Sequence, residues 1–247
     1  MSNISANNLF YRTQMEHLKN QFRRARHIYR SWKGQDLRVR IQEQCAKVCL
    51  GNDKANWCLC PSALSDDSVV YSFGVGTDIS FDLELIRRYG TIVHAYDPTP
   101  RSNAWVQSQE LPQRFVFHEY GVGSHDGTVA FHPPENSNFV SYSVFSRGSV
   151  TAPAVERPVS RLATIMKKLG HAKIDVLKMD IEGAEYEVLS DLLASGVPVR
   201  QLLVEFHHRW KEVGLDRTRS AIQYLNLAGF RIFHVSASGE EYSFFRI

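Results

Sequence analysis

From residue 69 onward, short apolar runs and helically spaced segments take turns along the chain, and no other feature restricts the fold as much. The apolar runs are VVYSFGV (69–75), TIVHAYD (91–97), RFVFHEYG (114–121), the start of DVLKMDIEGAEYEVL (175–189) and VRQLLVEFHH (199–208). Segments of helical spacing accompany them at 79–90, 101–110, 160–170, 183–195 and 217–230; Ser160 reads as an amino-terminal cap, and Gly90 and Gly170 as stops. Each element has one apolar side to cover, so the alternation predicts a parallel sheet held between helix layers. RIFHVSA (231–237) and EYSFFRI (241–247) are joined only by SGE, too short for a crossover, so this last pair is antiparallel. DGTVAFH (126–132) and FVSYSVF (139–145) read as a hairpin or short β excursion with Asp126-Gly127 at its turn. The surrounding stretch 132–158 is long, polar and Pro/Ser-rich, as lids and substrate-contacting loops are, with Phe139, Tyr142 and Phe145 as its apolar surface.

The first part of the chain is different. Residues 1–40 carry nine Lys or Arg against Glu16 and Asp36, a net +7 in a chain of net +3, so the remaining 207 residues sum to −4. Tyr11, Met15, Leu18, Phe22, Ala25, Tyr29 and Trp32 recur in steps of four and three, which predicts a helix with an apolar stripe among arginines. That stripe must be covered by the body of the chain, by a second copy in a homodimer, or by an acidic partner or membrane surface. WCLCPSALSDDS (57–68) reads as the connection between a basic helical extension, 1–64, and a main domain, 65–247. No run approaches the roughly 20 apolar residues of a membrane span, and the amino terminus lacks the pattern of a secretory signal, so a cytoplasmic location is expected.

All four cysteines, Cys45, Cys49, Cys58 and Cys60, fall within 16 residues. Their spacing departs from the paired knuckles of common zinc sites; small buried side chains are the leading expectation, with a four-thiolate zinc site and disulfides as the alternatives.

Chemistry is suggested first by SFGVGTD (72–78), where Gly74 and Gly76 stand at a strand-to-helix turn. Glycine lets a ligand approach the backbone closely. Asp97 ends the next strand 21 residues after Gly76, an offset at which a carboxylate can bind ribose hydroxyls. Ile79 replaces the third glycine of a pyrophosphate fingerprint, so the ligand is a nucleoside without a diphosphate, and S-adenosylmethionine fits. A plain turn glycine and a surface aspartate would account for the same letters. YGVGSHDG (120–127) offers a second glycine turn, from which the backbone at Val122 and the side chain of Asp126 could read an adenine; hairpin chemistry explains Asp126-Gly127 equally well.

The second suggestion is charge at strand ends. Lys178, Asp180 and Glu182 close one apolar run and Glu205 and His207 another, where open α/β sheets bind ligands. A lysine in a central strand needs a partner, and Asp180 or Glu205 is expected to supply it. His207 is the first choice for a general base and Asp180 the second. A divalent metal held by Asp180, Glu182, Glu205 and His207 is a further option, since carboxylates with one imidazole suit magnesium or manganese.

Together, Gly74, Gly76, Asp97 and LKMDIEGAEYEVL resemble the FkbM-type S-adenosylmethionine-dependent methyltransferases, whose hallmark K-x-D-x-E-G-x-E is matched by Lys178, Asp180, Glu182, Gly183 and Glu185. VVYSFGVGTDISFD also looks like the variant first motif of the family's eukaryotic methyltransferase-like relatives. The resemblance covers residues 65–247 and leaves the basic helix unexplained. It implies the class I methyltransferase fold, a Rossmann-like α/β three-layer sandwich whose seven-stranded sheet has order 3-2-1-4-5-7-6 with the last strand antiparallel. It also implies methyl transfer to a small-molecule or glycan acceptor, most simply a hydroxyl. Many relatives have an acidic residue before the first glycine and a third glycine after the second; this chain has Ser72 and Asp78, and Asp78 is the candidate for polar contacts to the methionine end. A nicotinamide oxidoreductase would want the missing third glycine. A nucleic-acid methyltransferase finds support only in the basic arm, and a non-catalytic binding module on the same scaffold is the remaining rival.

Overall fold

A computed structural model describes residues 3–52, 55–133, 142–145 and 153–247. Its centre is a seven-stranded sheet built from β3 (Val69–Phe73), β4 (Ile92–Tyr96), β5 (Phe115–His118), β9 (Ile174–Met179), β10 (Val199–Glu205), β11 (Phe230–Val235) and β12 (Glu241–Arg246). The spatial order is β11-β12-β10-β9-β3-β4-β5, which is the order implied by the resemblance. β3, β4, β5, β9 and β10 run parallel, while β12 lies antiparallel between β10 and β11.

Side chains alternate across this sheet and feed two cores. Tyr71, Phe73, Leu177 and Met179 point to the face covered by α4 (Leu162–Leu169), α5 (Glu185–Ser195) and α6 (Leu215–Leu227). Val70, Val93, Val176 and Leu203 point to the other face, covered by α2 (Ser80–Tyr89) and α3 (Pro100–Gln107). A smaller sheet orders β6 (Gly121–Val122), β8 (Val155–Ser160) and β7 (Gly127–Phe131). β7 therefore pairs with residues 155–159 rather than with 139–145 as expected. Of that expected hairpin only the His132–Ser143 bridge is present among the described residues, and Phe139 lies outside them.

The cysteines are not isolated small side chains, nor a zinc site. β1 (Val48–Leu50) and β2 (Trp57–Leu59) form an antiparallel hairpin in which Cys49 faces Cys58 and is disulfide-bonded to it; a second disulfide joins Cys45 to Cys60. The hairpin is part of the core. Leu50, Trp57 and Leu59 are buried, the side chain of Gln201 exchanges two hydrogen bonds with the backbone of Cys60, and the Ser243 hydroxyl donates to the Cys58 carbonyl. Thus residues on both sides of position 65 build one hydrophobic interior.

α1 (Asn3–Trp32) is joined to this body by its carboxyl end. Asp36, only 4% exposed, accepts hydrogen bonds from His208 and Arg209, with His27 at 3.2 Å and Arg30 at 3.9 Å. Burial pulls the Asp36 carboxyl upward, but the hydrogen bonds from His208, His27 and Arg209 outweigh it and hold the group far below the usual carboxylate range. His27 stands against Gly239 and so points inward. The apolar stripe points elsewhere: Met15, Leu18, Phe22, Tyr29 and Trp32 are all exposed, so the body does not cover it. No described helix is long and apolar enough to cross a membrane.

Thiol titration of the unreduced, unfolded protein is expected to find no free thiol, and four after reduction, because no cysteine is unpaired. Replacing Cys45 and Cys60 by serine should lower stability by up to about 3 kcal/mol in denaturant unfolding, the loop-closure value for a loop of this size.

Candidate functional site

The site begins where β3 stops. Gly74 has φ +79°, and a Cβ there would lie 1.6 Å from the Asp180 carbonyl oxygen; only glycine lets the turn after β3 lie against the end of β9. Two backbone hydrogen bonds fix the contact, from the Gly74 N–H to Tyr96 and from the Asp180 N–H to Phe73. Lys178 completes it. Its ammonium donates to the Gly74 carbonyl at 2.8 Å and lies 5.3 Å from the Trp57 ring centre, on the face shared by Ser72 and α2. The expected ion pair with Asp180 or Glu205 is absent among the described residues. The carboxylate that senses Lys178 on that face is the buried Asp82, whose pKa is raised by burial and partly restored by Lys178 and Ser72.

Asp97 is buried at the end of β4 and is aimed by the same turn. One oxygen accepts the Gly76 N–H at 2.9 Å, and the other accepts the N–H and hydroxyl of Thr99 at 2.9 and 2.6 Å. Gly74, Gly76, Asp97, Val122, Asp180 and Glu182 all line one cleft of about 620 Å³, counted to its open mouth. The wall also includes Tyr142, one of the aromatics named for the substrate-contacting stretch, and Tyr96 and Ser102, which the sequence reading did not single out.

Two predicted contacts lie elsewhere. Asp126 accepts hydrogen bonds from the Arg161 N–H and the Thr164 hydroxyl, which lower its pKa. It caps α4, the role expected of Ser160, which instead ends β8. Asp78 accepts from the Ser80 N–H and the Asn52 side chain, so it secures the start of α2. Neither lines the cleft.

Beyond Asp180 the chain turns sharply. Glu182 has φ +53°, the one positive value at a non-glycine among the described residues, and Gly183 follows at +100° with Phe145 and Trp210 packed where a Cβ would be. Glu185 holds this turn: fully buried, it accepts N–H bonds from Ile181 and Gly183. It also faces His207 Nδ1 at 3.0 Å, so it orients the imidazole, a role not evident from its position at a helix start. His207 Nε2 then lies 3.4 Å from Glu182 Oε2 and 3.8 Å from Asp180 Oδ1. Glu205, directly across from Glu241 on β12, completes the group.

Like charge dominates here. Burial lowers the His207 pKa, but the carboxylates of Glu185, Glu205 and Glu182 raise it well above the ordinary value. Burial raises Asp180, against Lys178 and His207; burial together with Asp180 and Glu241 raises Glu205 strongly. His207 is only 6% exposed and stands behind Asp180 and Glu182 rather than lining the cleft.

A mostly parallel seven-stranded α/β sheet with one antiparallel strand near its edge carries its cleft across the ends of β3, β4 and β9, where open α/β sheets bind ligands. Residues 68–232 match the Methyltransferase FkbM domain, and the chain belongs to that family. It is 30% identical over 178 residues to the probable methyltransferase-like protein 24 of Rattus norvegicus and 29% identical to that of Homo sapiens; each match covers 67% of this chain. The chain spans 42% of the length of these curated relatives. The crystal structure of the methyltransferase FkbM from Methylobacillus flagellatus KT matches with a TM-score of 0.45 at 14% identity, covering 74% of this chain and 44% of that one.

Gly74→Ala is expected to lower the thermal midpoint, since the turn after β3 can no longer pack against Asp180. Asp126→Ala should cost about 1 kcal/mol in denaturant unfolding, as a lost helix cap does.

Proposed function

We propose that this protein transfers a methyl group from S-adenosylmethionine to a hydroxyl of a sugar or small metabolite. What supports the reading most is that three segments distant in sequence, at 74–76, 97–99 and 180–184, meet in one cleft. The residues suit the donor: the Gly74 turn leaves bare backbone where a side chain cannot fit, Asp97 is aimed at the cleft for a ribose, and Val122 gives an apolar wall for the adenine. Bound there, S-adenosylmethionine supplies an electrophilic methyl that passes from sulfur to the acceptor oxygen in one displacement. Asp180, at the cleft wall, replaces His207 as the group that meets the acceptor, and Glu182 beside it is the second carboxylate within the wall. His207 acts through them as a positioning residue, itself held by Glu185. Fixing an acceptor against such groups supplies much of the rate of a bimolecular transfer.

Two disulfides favour an oxidising compartment over the cytoplasm, and we place the protein there.

Calorimetry should detect S-adenosylmethionine binding that weakens more than about tenfold, or 1.4 kcal/mol, in Asp97→Ala. Asp180→Asn should keep donor affinity and lose most transfer of labelled methyl to glycan or metabolite pools. Binding of NAD without S-adenosylmethionine would overturn the reading in favour of an oxidoreductase.

A further inference from the structure

Behind the cleft wall formed by Asp180 and Glu182 the acidic groups outnumber their counter-charges. Asp180, Glu182, Glu205 and Glu241 face one another there, with His207 among them. Lys178, the nearest lysine in the strand, spends its ammonium on the Gly74 carbonyl and the Trp57 face. Asp180 Oδ1 is enclosed yet has no hydrogen-bond partner among the described residues. Glu205 stands directly opposite Glu241, and whereas Glu241 accepts hydrogen bonds from the Ser236 and Ser238 hydroxyls, Glu205 is left among Asp180, Glu182 and His207.

The imidazole adds an independent observation. The His207 side chain is 7% exposed, and its ring is set by Glu185, which approaches Nδ1 at 3.0 Å while locked by two backbone N–H groups. With Nδ1 turned toward that fixed carboxylate, the ring presents Nε2 on its other side, as metal-ligating histidines do. Here Nε2 points at the carboxylates. Asp180, Glu205 and His207 each offer one ligand atom, all within 4.8 Å of one another, and the Nε2–Oδ1 separation is 3.8 Å. Ligand atoms bonded at about 2.1 Å to one ion lie about 3.0 Å apart at right angles and about 4.2 Å apart across it.

We propose that Asp180, Glu205 and His207 form a divalent-cation site of the manganese or magnesium type, oriented by Glu185 and set into the wall of the cleft. One nitrogen with two carboxylate oxygens suits these hard ions. The use of the ion, to polarise the acceptor oxygen so that it gives up its proton as the new bond forms, rests on the methyl-transfer reading; its binding does not.

The test uses the full chain after chelation and dialysis. Titration with Mn²⁺, followed by calorimetry and electron paramagnetic resonance, should show one ion per chain with hyperfine coupling to one imidazole nitrogen. His207→Ala should remove that coupling, and Glu205→Gln should weaken Mn²⁺ binding at least tenfold; Mg²⁺ should compete. Asp126→Asn, outside the cleft, should bind Mn²⁺ as the unaltered protein does. Absence of stoichiometric Mn²⁺ binding by the unaltered chain, or binding without nitrogen coupling, overturns the site even if a variant fails to fold. S-adenosylmethionine titrated in parallel separates the two readings: donor binding without Mn²⁺ binding removes the ion alone, and Mn²⁺ binding without donor binding removes the methyltransferase reading alone.

Discussion

The close packing of the Gly74 turn on the Asp180 carbonyl is the contact on which the remaining geometry rests. It brings the carboxyl ends of two parallel strands to touching distance, and the Lys178 ammonium holds the turn there from the opposite face of the sheet. Asp97 follows, since its carboxylate is oriented by the Gly76 N–H of that turn. Asp180 follows as well, because its backbone is bonded to Phe73 immediately before the turn. A lysine inside a parallel sheet is costly to desolvate, and here the cost is offset by carbonyl oxygens, an aromatic face and a buried aspartate rather than by one simple ion pair.

Two buried electrostatic centres, built on the neighbouring residues His207 and His208, have opposite character. Around Asp36, cations from α1 and from the segment after β10 converge on one carboxylate, which is thereby fixed in its ionised form. Around His207, carboxylates converge on one imidazole, and three acidic groups are held near each other at the end of β10. The first arrangement fastens the amino-terminal helix to the domain. The second concentrates several carboxylates around one imidazole beside the cleft, an arrangement found more often at functional sites than in structural ion pairs.

Much of this was legible in the residues. Alternating patterns specify the parallel sheet, the short SGE link specifies the antiparallel end, and the glycine turn with Asp97 and the K-x-D-x-E-G-x-E segment all reach the cleft. Several features missed in the sequence share a cause, a partner far away in the chain. Asp126 meets Arg161, Gln201 meets Cys60, and Asp36 meets His208, separations on which local periodicity is silent. The pairing of Lys178 with Asp180 expected from the sequence fails because β9 ends at Met179, so Asp180 has left the pleat. β8 went unseen because Pro158 interrupts its pattern, although Thr128 pairs with it in the sheet. Glu185 reads as an ordinary acid at a helix start; its burial beneath the 181–183 turn depends on the fold itself.

The stapled hairpin has a bearing on how the cleft is assembled. Trp57, one residue from a bridged cysteine, lies against the ammonium that secures the Gly74 turn. The cross-linked hairpin therefore reaches the cleft through one aromatic ring, although none of its own residues lines that cleft.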